Sequence, residues 1–500
     1  MDYDVIIIGS GAGGGSAAYN LAKSGKKVLI IEKGQRLKDP DIIQSENEML
    51  INRAGYDNRD LQLNKKKSFL YNSGIAGGGS SLYGAVFLRP SPQDFHPGQF
   101  YPEYLPDHLK HWPISYEELE PYYHLAEDLY NVCGEKPEAI EHCGRRVSPY
   151  ATSPPPLEPI NKTIKTVLFD DGLSPFHLPL AINFDTCLRC PTCPGYCCPN
   201  ESRSSSLNRC IDLAMREYGT EMWTGVEAIK FIRGKSNRIN TLVYRKSCST
   251  KTDHVSADLF ILAAGAIGSP IILQHSKLGS KSDQLGRNYM YHAGVFSAGF
   301  FARQTGAASK FIKQLGWTDY YFGTNDFPHK LGYVQMLPIP GPLSIKKEAP
   351  VYVPLSLAAF LYKRSIAFAA TVEDLPDPNN RVELHNDQVN IHHQFTEYDI
   401  FRSKYLKKKM SRLLRKCGAS VVVGITSDRN QTHTAHQVGT CRFGNDEKTS
   451  VLDKNCRLHD ADNLFVLDGS FMPTSLGVGP ALTIIANALR VSDYLVKEGF

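Results

Sequence analysis

No hydrophobic run in this 500-residue chain is long enough to cross a membrane. The longest, residues 351–361, is broken by Pro354, and a stretch of that length reads as a core or pocket-lining segment. Charge of one sign is not in excess either. With 56 Lys and Arg against 51 Asp and Glu the formal charge is +5, which gives no electrostatic warrant for a nucleic acid or an anionic membrane as partner. The opening residues Met1-Asp2-Tyr3-Asp4 lack the basic flank and cleavage site of a secretory signal, so a cytoplasmic protein is expected. There, twelve cysteines are expected as thiols or metal ligands and not as a disulfide framework. No internal repeat is found, and the length allows a large core in two domains, or in one with long insertions.

What is present is glycine in patterns. Val5-Ile6-Ile7-Ile8 is a short apolar run of the kind expected for a parallel strand buried on both faces, and Gly9-Ser10-Gly11-Ala12-Gly13-Gly14 follows at once. Ala17, Ala18, Leu21 and Ala22 then recur at helical spacing, Gly25 ends the helix, Val28-Leu29-Ile30-Ile31 reads as a second strand, and Glu32 closes it. Each part has a reason. Gly9 permits a tight turn, Gly11 lets the backbone approach a pyrophosphate, and Gly14 lets helix and strand pack closely. The helix N-terminus offers unpaired N–H groups to phosphates, and Glu32 can accept hydrogen bonds from a ribose diol. A lone G-x-G-x-x-G also occurs as a plain structural turn, but strand, glycines, helix, strand and acid at these spacings predict a dinucleotide site.

NAD and FAD share this fingerprint, and two distant segments choose between them. Ile75-Ala76-Gly77-Gly78-Gly79-Ser80-Ser81-Leu82-Tyr83-Gly84-Ala85 is a second glycine-rich stretch, suited to close backbone approach along an extended cofactor. Leu464-Phe465-Val466-Leu467 is a buried strand ending in Asp468-Gly469, before a helix that opens near Pro480. With Trp112-Pro113-Ile114-Ser115-Tyr116-Glu117-Glu118-Leu119 and Ala263-Ala264-Gly265-Ala266-Ile267-Gly268-Ser269-Pro270, these motifs make nearly the whole chain resemble the glucose-methanol-choline (GMC) oxidoreductases.

The resemblance implies an α/β fold: a Rossmann-type FAD-binding domain with an antiparallel-sheet (α+β) substrate domain. Residues 1–287 would form the first part of the FAD domain, with a cysteine-rich loop at 187–210, residues 288–423 the substrate domain roofing the flavin, and residues 424–500 the rest of the FAD domain. The expected cofactor contacts are Gly9, Gly11, Ala12, Gly13, Gly14, Glu32, Lys33, Gly78, Gly79, Ser80, Val226, Ala264, Asp468, Gly469, Pro480, Ala481 and Leu482. Leu82 stands where covalently linked members carry histidine, which implies non-covalent FAD.

Within this frame, Ser115 and Glu118 form a capping box that starts a helix. The segments Arg381–His385 and Val389–His392, joined by Asn386-Asp387, read as a hairpin of the roofing sheet. Residues 404–416 read as an amphipathic helix burying Leu406, Met410, Leu413 and Leu414, with its basic face in solvent.

The segment His436-Gln437-Val438-Gly439-Thr440-Cys441-Arg442-Phe443-Gly444 matches the family's active-site histidine. Alcohol oxidation by a flavin moves a hydride to the cofactor and a proton to a base, and a neutral imidazole can take that proton. His436 is thus the expected base, and His433 a decoy outside the pattern. Members usually place a histidine or asparagine just before the proline of the last helix; here that position is Gly479.

Cys187, Cys190, Cys193 and Cys197 have ferredoxin-like spacing, which points to an iron–sulfur cluster or zinc, against a plain structural loop. The leading function is oxidation of a small-molecule alcohol, guessed as a sugar, amino sugar or polyol, with O2 or a redox partner as electron acceptor. The overall pattern is similar to that of GMC enzymes oxidising paromamine in aminoglycoside antibiotic biosynthesis. The alternatives are an electron-transfer flavoprotein using the cysteine loop, and a flavin lyase or photoenzyme, for which Gly479 is the support.

Overall fold

A computed structural model of the chain describes residues 3–59, 61–68, 70–135, 140, 142–146, 148–234, 236–428 and 435–500. A five-stranded parallel sheet is its centre, in the order Leu464–Val466, Ala257–Leu262, Tyr3–Ile8, Val28–Glu32, Glu221–Thr224. Its strands come from three remote parts of the chain. The apolar runs that made them legible are fully buried, Ile6, Ile7, Ile30, Phe260, Ile261 and Phe465 among them, as a sheet covered on both faces requires. Helices Ala12–Lys23 and Ala481–Lys497 pack on one another, and Tyr116–Leu129 packs on the latter. Ser115 starts that third helix as a capping box: its hydroxyl accepts from Glu118 N–H, and its own N–H donates to the Glu118 carboxylate.

A six-stranded antiparallel sheet stands beside this core, in the order Val421–Thr426, Val295–Phe300, Ser365–Ala370, Val334–Met336, Leu315–Trp317, Phe176–His177. It draws its edge strand Phe176–His177 from well before residue 288 and ends beyond residue 423. Helix Glu397–Lys416 packs on it through Leu406, Met410, Leu413 and Leu414. Thr396 caps this helix, its hydroxyl accepting from Asp399 N–H.

One expectation is corrected. The hairpin Arg381–His385 and Gln388–His392 forms but is not part of the roof; its second strand pairs in parallel with Leu61–Leu63 in a separate four-stranded sheet. The segment 351–361 is only partly interior. Helix Leu355–Tyr362 buries Ala358 alone, and Val351 and Tyr352 ahead of it are 94% and 82% exposed. Val353, Leu357 and Leu361 do line the cavity described below. No helix among the described residues is long and apolar enough to cross a membrane.

Candidate active site

The first strand ends at Gly9, whose φ of +99° only glycine adopts freely, and a Cβ there would meet the Ala263 carbonyl oxygen at 2.3 Å. Helix Ala12–Lys23 starts at Gly11 with no side-chain cap, which leaves its first N–H groups to serve an anion. The second glycine loop touches the first: a Cβ on Gly78 (φ +56°) would lie 2.7 Å from Gly11 Cα. Ser10 joins loop to strand, its hydroxyl accepting from Gly77 N–H at 2.8 Å and donating to Glu32 Oε2 at 2.5 Å.

Glu32 also accepts from Ser10 N–H (2.9 Å) and Gly34 N–H (2.6 Å). A carboxylate has about four acceptor sites, and these bonds occupy most of them within the turn. Burial raises the proton affinity of Glu32, and the hydrogen bonds from Ser10 and Gly34 oppose the rise. Asp468 holds a different junction, accepting from Gly265 N–H (2.9 Å), Ser269 Oγ (2.5 Å) and Ser470 N–H (2.8 Å).

One cavity of about 1850 Å³ connects these parts, larger than the roughly 300–1,000 Å³ of a pocket for one small ligand. Gly9, Gly11, Ala12, Gly13, Glu32, Lys33, Gly78, Gly79, Ser80, Val226, Ala264, Asp468, Gly469, Pro480, Ala481 and His436 all line it, as does Leu82. Gly14 and Leu482 do not. Gly14 lies behind the turn, where a Cβ would meet the Gly9 carbonyl oxygen at 2.1 Å, and Leu482 is packed in the core at 1% exposure. An elongated cavity floored by two glycine loops and an uncapped helix end fits FAD with a substrate beside it.

At the far end His436 faces His292, Nδ1 to Nδ1, at 2.8 Å. Nε2 of His292 lies 3.1 Å from the Ser475 carbonyl and 2.9 Å from that of Leu476. Carbonyls only accept, so this Nε2 carries the proton. Burial holds His292 down to about 4, so at neutral pH its Nδ1 is bare and must accept from His436 Nδ1–H. The lone pair of His436 is thereby placed on Nε2. Position 479 lies beside that atom: a Cβ on Gly479 would be 3.7 Å from it. His436 opens onto the cavity, where the residue is exposed, while the protein groups around the ring still desolvate it. Burial, then His292, then Lys313 push its proton affinity down to about 3, so it is neutral across the physiological range. Its φ of +70° is uncommon for a side chain of this size.

His292 was not legible in the sequence. It carries no motif, and only the pairing of Met290 with Val438 brings the two rings together. Lys313, which also lines the cavity, was equally silent. His433 lies outside the described residues. Two further histidines, His392 and His393, do not line the cavity: His392 is 3.7 Å from Glu383, and His393 is buried with Nε2 2.8 Å from Asp374.

The cysteine loop departs from the metal expectation. No group of three or more His, Cys, Asp or Glu among the described residues is placed to hold a metal ion, and all twelve cysteines are free. Burial raises the thiols of Cys187, Cys190, Cys193 and Cys197, Cys193 to about 11. The loop instead braces the cofactor site. Buried Arg203 donates to the carbonyls of Tyr83 (3.0 Å), Cys193 (2.7 Å), Tyr196 (2.7 Å) and Ser81, and Gly195 N–H donates to the Leu82 carbonyl (2.8 Å).

Comparison with known proteins agrees with this geometry. GMC oxidoreductase family models match residues 157–294 and 376–488, and an FAD binding domain model matches residues 4–39. The 6'''-hydroxyparomomycin C oxidase of Streptomyces lividus is 28% identical over 99% of this chain and 92% of its own. The paromamine 6'-oxidase of Streptomyces fradiae is 28% identical over 98% and 90%. Among solved structures, pyridoxine 4-oxidase from Mesorbium loti superposes with a TM-score of 0.66 at 18% identity, over 99% of both chains. The chain belongs to the GMC oxidoreductase family and is an FAD-dependent oxidoreductase.

Proposed function

We propose that the protein oxidises an alcohol to a carbonyl, with His436 Nε2 as the proton acceptor. The observation that carries this reading is the His292–His436 contact, which leaves a bare nitrogen on the cavity side beside Gly479. Bound FAD supplies the hydride acceptor, and Leu82 in the glycine loop supports a non-covalent cofactor. The protein then has three tasks. His292 holds His436 in the accepting tautomer. The low proton affinity of both rings keeps them unprotonated before substrate arrives, while making His436 a weaker base than an ordinary imidazole for the transfer itself. The N-terminus of helix Ala481–Lys497, with Pro480 and Ala481 on the cavity wall, presents positive dipole where negative charge grows on the ring system.

For the substrate we propose a sugar, amino sugar or polyol, as in aminoglycoside biosynthesis. The two Streptomyces oxidases support this reading, and so does Gln335 on the cavity wall. Its Oε1 is buried with no hydrogen-bond partner among the described residues, an acceptor suited to a substrate hydroxyl. A second reading, an apolar alcohol, is favoured by the outer cavity, where Phe296, Phe300, Leu337, Val423 and Ile425 offer no hydrogen bond. Anaerobic flavin bleaching by sorbitol, glucosamine and 1-octanol separates the two. Bleaching by none of them, with dithionite still effective, would contradict alcohol oxidation.

A further inference from the structure

Gly479 leaves His436 without the second polar side chain that the substrate oxygen would be expected to meet, and the cavity supplies another candidate. Lys313 is 2% exposed, in the segment leading into roof strand Leu315–Trp317, and it lines the same cavity as His436. Its ammonium has three N–H donors but makes one hydrogen bond, 2.5 Å to the carbonyl of Gly84 in the second glycine loop. The approach is close: a Cβ on Gly84 would meet Lys313 Nζ at 2.2 Å and Pro194 Cγ at 3.3 Å, so an alanine there displaces the amine. The amine is thus threaded between the flavin loop and the cysteine loop. Among the described residues no carboxylate pairs with it.

We propose that Lys313 is a second catalytic residue, donating a hydrogen bond to the substrate oxygen while His436 takes that oxygen's proton. This rests on the alcohol-oxidation reading above. In the step, the O–H bond breaks with its proton moving to His436 Nε2. The carbinol C–H bond breaks with its electron pair leaving as hydride to the oxidised flavin, and the C=O bond forms. Negative charge builds on the oxygen as the proton departs, and a buried cation within reach of it stabilises it far more than water would. The charged and titratable groups facing Lys313 are Cys193 and Arg203 of the cysteine loop and His436 across the cavity. Burial pushes the ammonium down to about 7, with Cys193 opposing and Arg203 adding to the shift, so the charged form is lost as pH rises through that value.

The test is anaerobic stopped-flow reduction of the holoenzyme, using whichever of sorbitol, glucosamine or 1-octanol bleaches the wild-type flavin fastest. Lys313→Met should keep its FAD and thermal stability while flavin reduction falls at least about a hundredfold. The wild-type rate should decline above about pH 7 and that limb should vanish in the variant. Binding of 2,2,2-trifluoroethanol, followed by its perturbation of the flavin bands, should weaken at least about tenfold. If Lys313→Met does not hold FAD, Gly84→Ala, which displaces the amine, is read in the same way. A near-normal rate, or a reduced rate with the alkaline limb intact, overturns the proposal and leaves Lys313 a brace of the loop. If no alcohol bleaches the wild-type flavin, the parent reading falls and takes this one with it.

Discussion

At the scale of the residue, the two facing imidazoles can share only one proton between their Nδ1 atoms, since the Ser475 and Leu476 carbonyls already fix His292 as the Nε2–H tautomer. His292→Ala should therefore cost about tenfold or more in flavin reduction without loss of FAD, because His436 is then free to turn the wrong nitrogen to the cavity. His292→Asn, whose amide oxygen can accept from Nδ1–H, should retain more activity than alanine. Equal loss in both variants would show that the tautomer is not what His292 controls. The acid limb of flavin reduction is a second consequence. An ordinary histidine would be half protonated at about pH 6.5, but burial holds His292 to about 4 and His436 to about 3, so the rate should persist from pH 7 down to about 5. Glu32 has a subtler part. Glu32→Ala removes the proposed ribose acceptor and also unties Ser10 and Gly34, so equilibrium dialysis should show weaker FAD binding. Full turnover should return at saturating FAD.

At the scale of the element, the glycine turns were legible because each is decided locally: the positive φ of Gly9 and the short approach of Gly14 to its carbonyl need glycine whatever the rest of the fold does. The capping boxes at Ser115 and at Thr396 are local in the same sense, though only the first was recognised in the sequence. Sheet membership is not local. The hairpin at 381–392 was legible as a hairpin, yet its partner Leu61–Leu63 lies far earlier in the chain and is too short to signal its pairing. The cysteine spacing misled for a related reason. It records a tight loop, and the loop's purpose shows only when Arg203 is seen against four carbonyls. Arg203→Met removes a donor from each of those carbonyls, of which that of Cys193 keeps the Tyr196 N–H, at about 1–3 kcal/mol for a buried group left unsatisfied. We expect thermal unfolding at least several degrees lower and faster FAD release. Unchanged FAD release would separate the loop from the cofactor. Elemental analysis of protein purified without chelator should show neither iron nor zinc near stoichiometry, and dialysis against EDTA should leave stability unchanged.

At the scale of the whole molecule, three remote stretches of chain meet in one parallel sheet and deliver both glycine loops and the His436 segment to a single cavity. That convergence was legible through the family resemblance alone, because no periodicity in the sequence says that strand Leu464–Val466 lies beside Ala257–Leu262. It also ties folding to protonation. His292 is buried as a neutral ring with a depressed proton affinity, so the unfolded chain binds more protons than the folded one between about pH 6.5 and 4. Its stabilising contribution is complete above the unfolded value and is lost as pH falls, by up to about 3 kcal/mol. The melting temperature of the holoenzyme should drop between pH 7 and pH 4.5, and less so in His292→Asn. The most direct test of the central claim is anaerobic stopped-flow reduction of the flavin in His436→Ala by the alcohol that bleaches the wild type. The account predicts a loss of at least about a hundredfold with FAD affinity unchanged; reduction at a near-normal rate would contradict it and remove His436 as the proton acceptor.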